Sequence, residues 1–189
     1  MNYKELFNRA ALLISSPLKA WNEIETEGNE KKVISDFVYP MIGLCGLSVF
    51  IGTFIGNTAG VSAFHVAMTR CCAIFVSLFG GFFLASYLTN LLGKQLLGRE
   101  DEKELNQQFV GYAMVVTFVL DIITGLFSIS ILRWILQFYT VLVVYEGART
   151  LMEVKEKELT RYSLIASLII IVCPSLIAVI FDKLSLILN

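Results

Sequence analysis

The sequence predicts an all-α, polytopic integral membrane protein with five transmembrane helices preceded by short amphipathic N-terminal helices. Of its 189 residues 56% are hydrophobic and only 16% are charged, against about 25% charged in an ordinary soluble domain. Mean hydropathy is +0.71, and the apolar residues fall in long blocks instead of alternating with polar ones every few positions. The formal net charge of −1 offers no basic surface to follow a phosphate backbone, so nucleic acid is not an expected partner. The solvent of this chain is lipid.

Residues 1–36 form a mostly polar segment, expected to be cytoplasmic, and residues 37–189 the five-helix domain. Within the first segment Tyr3, Leu6, Phe7, Ala10, Leu13 and Ile14 recur at helical spacing, with Lys4, Glu5, Asn8 and Arg9 on the opposite face. Such a helix can lie flat at a membrane interface. It is expected to stop at Ser15. Ser16 followed by Pro17 signals a second short helix, with Leu18, Trp21 and Ile24 on one stripe and Gly28 at its end. Trp21 suits a headgroup boundary, because its ring is apolar while its N–H needs a partner. Both helices either cap the ends of the bundle or sense lipid. No cleavable signal peptide is expected, since the first apolar block starts only near residue 37.

The five apolar blocks are residues 37–55, 71–92, 109–127, 129–145 and 163–181. At a rise of about 1.5 Å per residue each is about 25 to 33 Å long, which matches a hydrocarbon core of about 30 Å. No repeat and no Gly/Ser- or Pro-rich linker divides the chain. The basic residues give the direction. Lys4, Arg9, Lys19, Lys31 and Lys32 precede the first block; Lys94, Arg99 and Lys103 follow the second; Arg149, Lys155, Lys157 and Arg161 follow the fourth. Only Arg70, Arg133 and Lys183 fall to the other side. By the positive-inside rule the N-terminus faces the cytoplasm and the C-terminus lies outside. Acids from Glu100 to Glu104 stand where the third block's helix begins, at the positive end of its dipole. The fourth helix is expected to run on past the membrane, because Leu151, Val154 and Leu159 continue an apolar stripe and Glu153 and Lys157 are four apart.

Two charges stand inside the blocks. A turn near Ser128 makes the third and fourth blocks a hairpin in which positions whose numbers add to about 256 lie at similar depth. Asp121 and Arg133 meet that condition. A lone charge in lipid costs about 2.5 to 3.5 kcal/mol on insertion scales, so an ion pair between them is expected. It serves either as a staple of hairpin register or as a substrate or proton site. Nearer the cytoplasmic end, Glu146 is expected to pair with Arg149. Small residues line up as Ser48, Gly52, Gly56 and Gly60 on the first helix and as Ser77, Gly81 and Ala85 on the second. They let backbones approach closely, so the two rows are expected to pack together within one chain or to form a homo-oligomer contact. Pro174 should bend the fifth helix by removing a hydrogen bond to the carbonyl of Ile170.

Chemistry is sparse. Cys45, Cys71, Cys72 and Cys173 lie within or at the edge of blocks and read as small apolar fillers, with no CxxC. His65 is the single histidine, and one histidine beside two adjacent cysteines lacks zinc spacing. No HExxH, GxSxG or GxxxxGK[ST] occurs. The expectation is a protein that is not an enzyme and carries no cofactor or metal.

The stretches SSPLKAWNEIE (15–25), FVYPMIGL (37–44), VGYAMVV (110–116) and QFYTVLVVYEGARTLMEVKEKE (137–158) together resemble the Yip1 family of five-span membrane proteins, over nearly the whole chain. The resemblance implies five helices, a cytoplasmic N-terminus and an outward C-terminus. Eukaryotic members are associated with Golgi and vesicle traffic and with Rab GTPases. The chain lacks the long N-terminal region and DLYGP-type motif of that branch. Gly111 and Tyr112 match the family's glycine-tyrosine pair, whereas the proline expected shortly after it is replaced around Thr117 and Phe118. It is therefore similar to the short bacterial-type members, and GTPase binding is not carried over. Two functions follow as expectations. One is a membrane scaffold, organising or trafficking-related protein whose partners are the bilayer and a membrane or cytoplasmic protein. The other is a small transporter or channel component with a polar site around Asp121 and Arg133.

Overall fold

The structure is a computed structural model that describes residues 3–28, 32–56, 61–100, 102–127 and 135–188. Among them there is no strand. Two short helices, α1 (Tyr3–Ser15) and α2 (Pro17–Glu27), precede a π-helical turn, Ile34–Val38, that leads into α3 (Tyr39–Gly56). There follow α4 (Val61–Leu97), α5 (Lys103–Ala113), α6 (Val115–Phe127), α7 (Tyr139–Thr150) and α8 (Glu156–Leu188). Pro17 opens α2 at its first turn, where its missing N–H costs nothing. Ser16 adjoins it without a side-chain capping bond, and Gly28 ends it with φ +60°, a conformation open to glycine.

Four described helical stretches are long and apolar enough to cross a membrane: Ile34–Ile55, Ala63–Leu97, Lys103–Phe127 and Glu156–Leu184. A fifth is not among them. Of the expected span 129–145, residues 129–134 lie outside the described residues, and α7, with 12 residues, is about 18 Å long. The expected outer segment before residue 71 is largely helix, since α4 begins at Val61. The expected extension of the fourth span is corrected as well. Helix α7 stops at Thr150, Glu153 turns the chain with φ +42°, and α8 starts afresh at Glu156. Met152, Val154 and Leu159 are nonetheless buried, so the apolar stripe marks packing without marking one helix.

One core runs through the molecule from Leu6 to Cys173. Helices α1 and α2 belong to it: Leu6, Ala10 and Leu13 of the first and Ala20, Trp21 and Ile24 of the second are buried. Trp21 packs inside the protein instead of facing headgroups. It is 0% exposed, its Nε1–H donates to the Val143 carbonyl of α7 at 2.9 Å, and its ring packs on Phe109 and Tyr112. Gly147 makes room for it, because a Cβ there would stand 2.6 Å from the indole. At the end of α1 the Tyr139 hydroxyl donates to the Ile14 carbonyl at 2.6 Å. These contacts fold the N-terminal pair onto α5 and α7 and cap one end of the bundle.

The small-residue rows meet other helices than expected. A Cβ on Gly52 of α3 would stand 1.8 Å from the Gly125 carbonyl oxygen of α6, so those backbones touch there. Ser48 and Val49 in turn close on Gly125. Gly81 of α4 faces Pro174 of α8, whose Cα would lie 2.6 Å from an added Cβ. Ser48, Ser77 and Ala85 are buried, and Gly60 lies outside the described residues. Helix α8 is continuous across Pro174, whose ring fits the notch left by Gly81. The outward faces are those of a protein in lipid: Leu164, Leu168, Val172, Leu176 and Val179 follow one another along α8 and are all exposed.

Candidate functional site

Two polar places stand out in the described residues. The larger is a cleft of about 530 Å³ at the capped end, between α1, α2, the π-helical turn and α5. Arg9 projects from α1 toward α2 and pairs with Glu23 at 3.4 Å and with Glu27. Its side chain is only 12% exposed, so two carboxylates hold a cation that water barely reaches. Glu5 and Asp36 stand on the walls, and Phe37 and Tyr112 close the inner side with ring centroids 4.9 Å apart. Gly111 explains why the chain comes so close here. A Cβ would stand 2.9 Å from Val38 and 3.0 Å from Val33, so glycine lets the turn before α3 lie against α5 while the next residue, Tyr112, faces the cleft.

The second place surrounds Asp121 on α6, which is 2% exposed. It borders a cavity of about 170 Å³ shared with Thr53, Arg70 and Thr124, and another of about 350 Å³ shared with Ser77, Thr117, Gln137 and Ser175. Arg133 lies outside the described residues. Close to Asp121, Gln137 Nε2 donates to Thr117 Oγ1 at 3.1 Å. A buried carboxylate with hydroxyls and an amide around it can hold a cation or pass a proton locally.

The expected Glu146–Arg149 pair is not formed. Glu146 Oε2 is buried with no hydrogen-bond partner among the described residues, while Arg149 is exposed. Its place as an anchor at this end is taken by Arg99, which reaches Glu102 at 3.3 Å and the Met152 carbonyl, tying the α4–α5 connection to the α7–α8 break. All four cysteines are free, and no group of His, Cys, Asp or Glu among the described residues could hold a metal ion. The sequence reading did not find the cleft. Arg9, Glu23 and Glu27 are too far apart in sequence to signal pairing, and the one available cue was Gly111–Tyr112.

Apolar helices long enough to cross a bilayer, glycine-mediated backbone contacts and a few buried polar groups together define a polytopic helical membrane protein. The Yip1 domain family model matches residues 11–177, and the chain belongs to the Yip1 family. That match includes α2, so the capping helix is part of the family's domain as well as of this core. No curated protein and no solved structure matches the chain.

Proposed function

We propose that this protein is a non-enzymatic membrane scaffold, organising or trafficking-related protein that works through its capped end, with that end in the cytoplasm and the C-terminus outside. The observation that carries this reading is the docking of α1 and α2 by Trp21 and Tyr139, which presents a fixed, charged surface at the end of a bundle whose long helices expose mostly apolar side chains. Twelve of the 15 basic residues fall on the connections of that end, which supports its facing the cytoplasm of a bacterial inner membrane. A fixed surface needs no ordering on contact, so binding there loses less conformational entropy. The test is affinity capture from native membranes with the whole chain and with Trp21→Ala, with membrane insertion checked in both. Partners retained by the first and lost by the second are expected; identical partner sets would overturn the reading. A reporter fused after Asn189 should read as non-cytoplasmic, and one inserted near Glu102 as cytoplasmic.

A second reading, a small transporter or channel component, is favoured by one observation: Asp121 borders two cavities at once, one of them shared with Arg70. Solute flux in proteoliposomes that falls at least tenfold in Asp121→Asn, with folding intact, would establish it over the scaffold reading.

A further inference from the structure

The cleft at the capped end has the makings of a binding site. Tyr112 is 4% exposed, yet it lines the cleft, and its hydroxyl makes no hydrogen bond to any described residue. The hydroxyl oxygen keeps some accessible surface, so it opens onto the cleft and is left for water or a ligand atom to bond. Arg9, Glu27 and Asp36 all lie within electrostatic reach of that hydroxyl. A ligand atom placed in the cleft would supply the missing bond.

The lining says what kind of atom. Four carboxylates, Glu5, Glu23, Glu27 and Asp36, face one guanidinium, Arg9. Arg9 is already engaged by Glu23 and Glu27, whereas Glu5 and Asp36 form no ion pair among the described residues. The remaining charge is negative, so the cleft favours a cation and disfavours a phosphate or carboxylate. A metal ion is a poor fit, since the carboxylates converge on no common point and a hard dication needs several oxygens at about 2.3 to 2.6 Å. A larger, more diffuse cation suits the space. The rings of Phe37 and Tyr112 add faces that attract such a charge. The cleft mouth is at the start of the first candidate span, because Asp36 and Phe37 are the third and fourth residues of Ile34–Ile55. That is the level at which lipid headgroups lie.

We propose that this cleft binds an organic ammonium group, carried either by a phospholipid headgroup or by a free amine, with the cation between Asp36, Glu5 and the Tyr112 hydroxyl and over the Phe37 ring. The ammonium N–H groups donate to the carboxylates and to the phenol oxygen, while the aromatic floor contacts the carbon next to nitrogen. This inference concerns a ligand and does not depend on the scaffold reading.

The experiment uses the full chain purified in a maltoside detergent, which carries no ammonium. Ethanolamine and ethylamine are titrated calorimetrically as the free amines. In parallel, nanodiscs of phosphatidylethanolamine or phosphatidylglycerol are opened and the lipid retained by the protein is counted by native mass spectrometry. Saturable binding of the amines, selective retention of phosphatidylethanolamine, or both is expected, and which arm responds assigns the source of the ammonium. Tyr112→Phe and Asp36→Asn should each weaken that binding about tenfold or more, while Glu100→Gln, on an exposed site elsewhere, leaves it unchanged. If Tyr112→Phe fails to fold, Asp36→Asn at the exposed rim carries the test. The proposal is overturned by no saturable binding in either arm, by preference for phosphatidylglycerol, or by equal binding in wild type and folded variants.

Discussion

Helices α2 and α8 make an instructive pair. The first has 11 residues, four of them charged, and could not cross a membrane, yet Pro17, Ala20, Trp21 and Ile24 are buried in the protein. The second has 33 residues and holds an 18-residue apolar stretch of which only 28% is buried inside the molecule, against 67% for the corresponding stretch through α5 and α6. In water the apolar helix would be the buried one. In lipid, hydrocarbon solvates Leu and Val as well as a protein core does, so apolar character reports the solvent and no longer reports burial. Burial is assigned instead by shape: by a large ring with a notch to fill, or by small residues that bring backbones together.

Substitutions that separate shape from hydrophobicity are the way to break that contrast. The largest effect is expected at Trp21→Ala. Removing a fully buried ring should cost about 3 to 5 kcal/mol and release α1 and α2, read as a new protease-sensitive region ahead of residue 33 and as a lower midpoint in a denaturing-detergent titration. Next comes Gly81→Leu, which drives a side chain into Pro174 where α8 does touch protein. About 1 to 3 kcal/mol is expected in the same titration, although leucine is more apolar than glycine. Trp21→Phe keeps most of the ring and loses the bond to the Val143 carbonyl, so about 1 kcal/mol is expected, with the cap still protected from protease. Leu168→Ala, on the outward face of α8, should stay within about 0.5 kcal/mol. A loss at Leu168 comparable to that at Trp21 would erase the contrast between the two helices.

The same reasoning explains what could be read from the sequence. Four of the five expected spans were legible because lipid demands about 20 consecutive apolar residues, and the start and end of α2 because Pro17 and Gly28 restrict or free the backbone locally. Which helix each span touches was not legible. Gly52 and Gly81 announced close approaches without naming Gly125 and Pro174 as their partners, since a glycine row complements any backbone. The break between α7 and α8 carried no signal either, for it turns at Glu153 and not at a glycine or proline. Trp21 was misplaced because an interfacial and a buried tryptophan satisfy the same rule, an apolar ring with one N–H to donate. The partner, a helix carbonyl 122 positions away, is a property of the fold. The cleft followed from three separations of this kind at once.

That the polar N-terminal helices are core and the most apolar candidate span is periphery is most directly tested by amide hydrogen exchange of the whole chain in nanodiscs. Amides of α2 between Leu18 and Glu25 should exchange as slowly as those of α5 between Phe109 and Ala113, in one cooperative unit. Exchange of α2 as fast as the connection around Gly98, with α5 still protected, would contradict it.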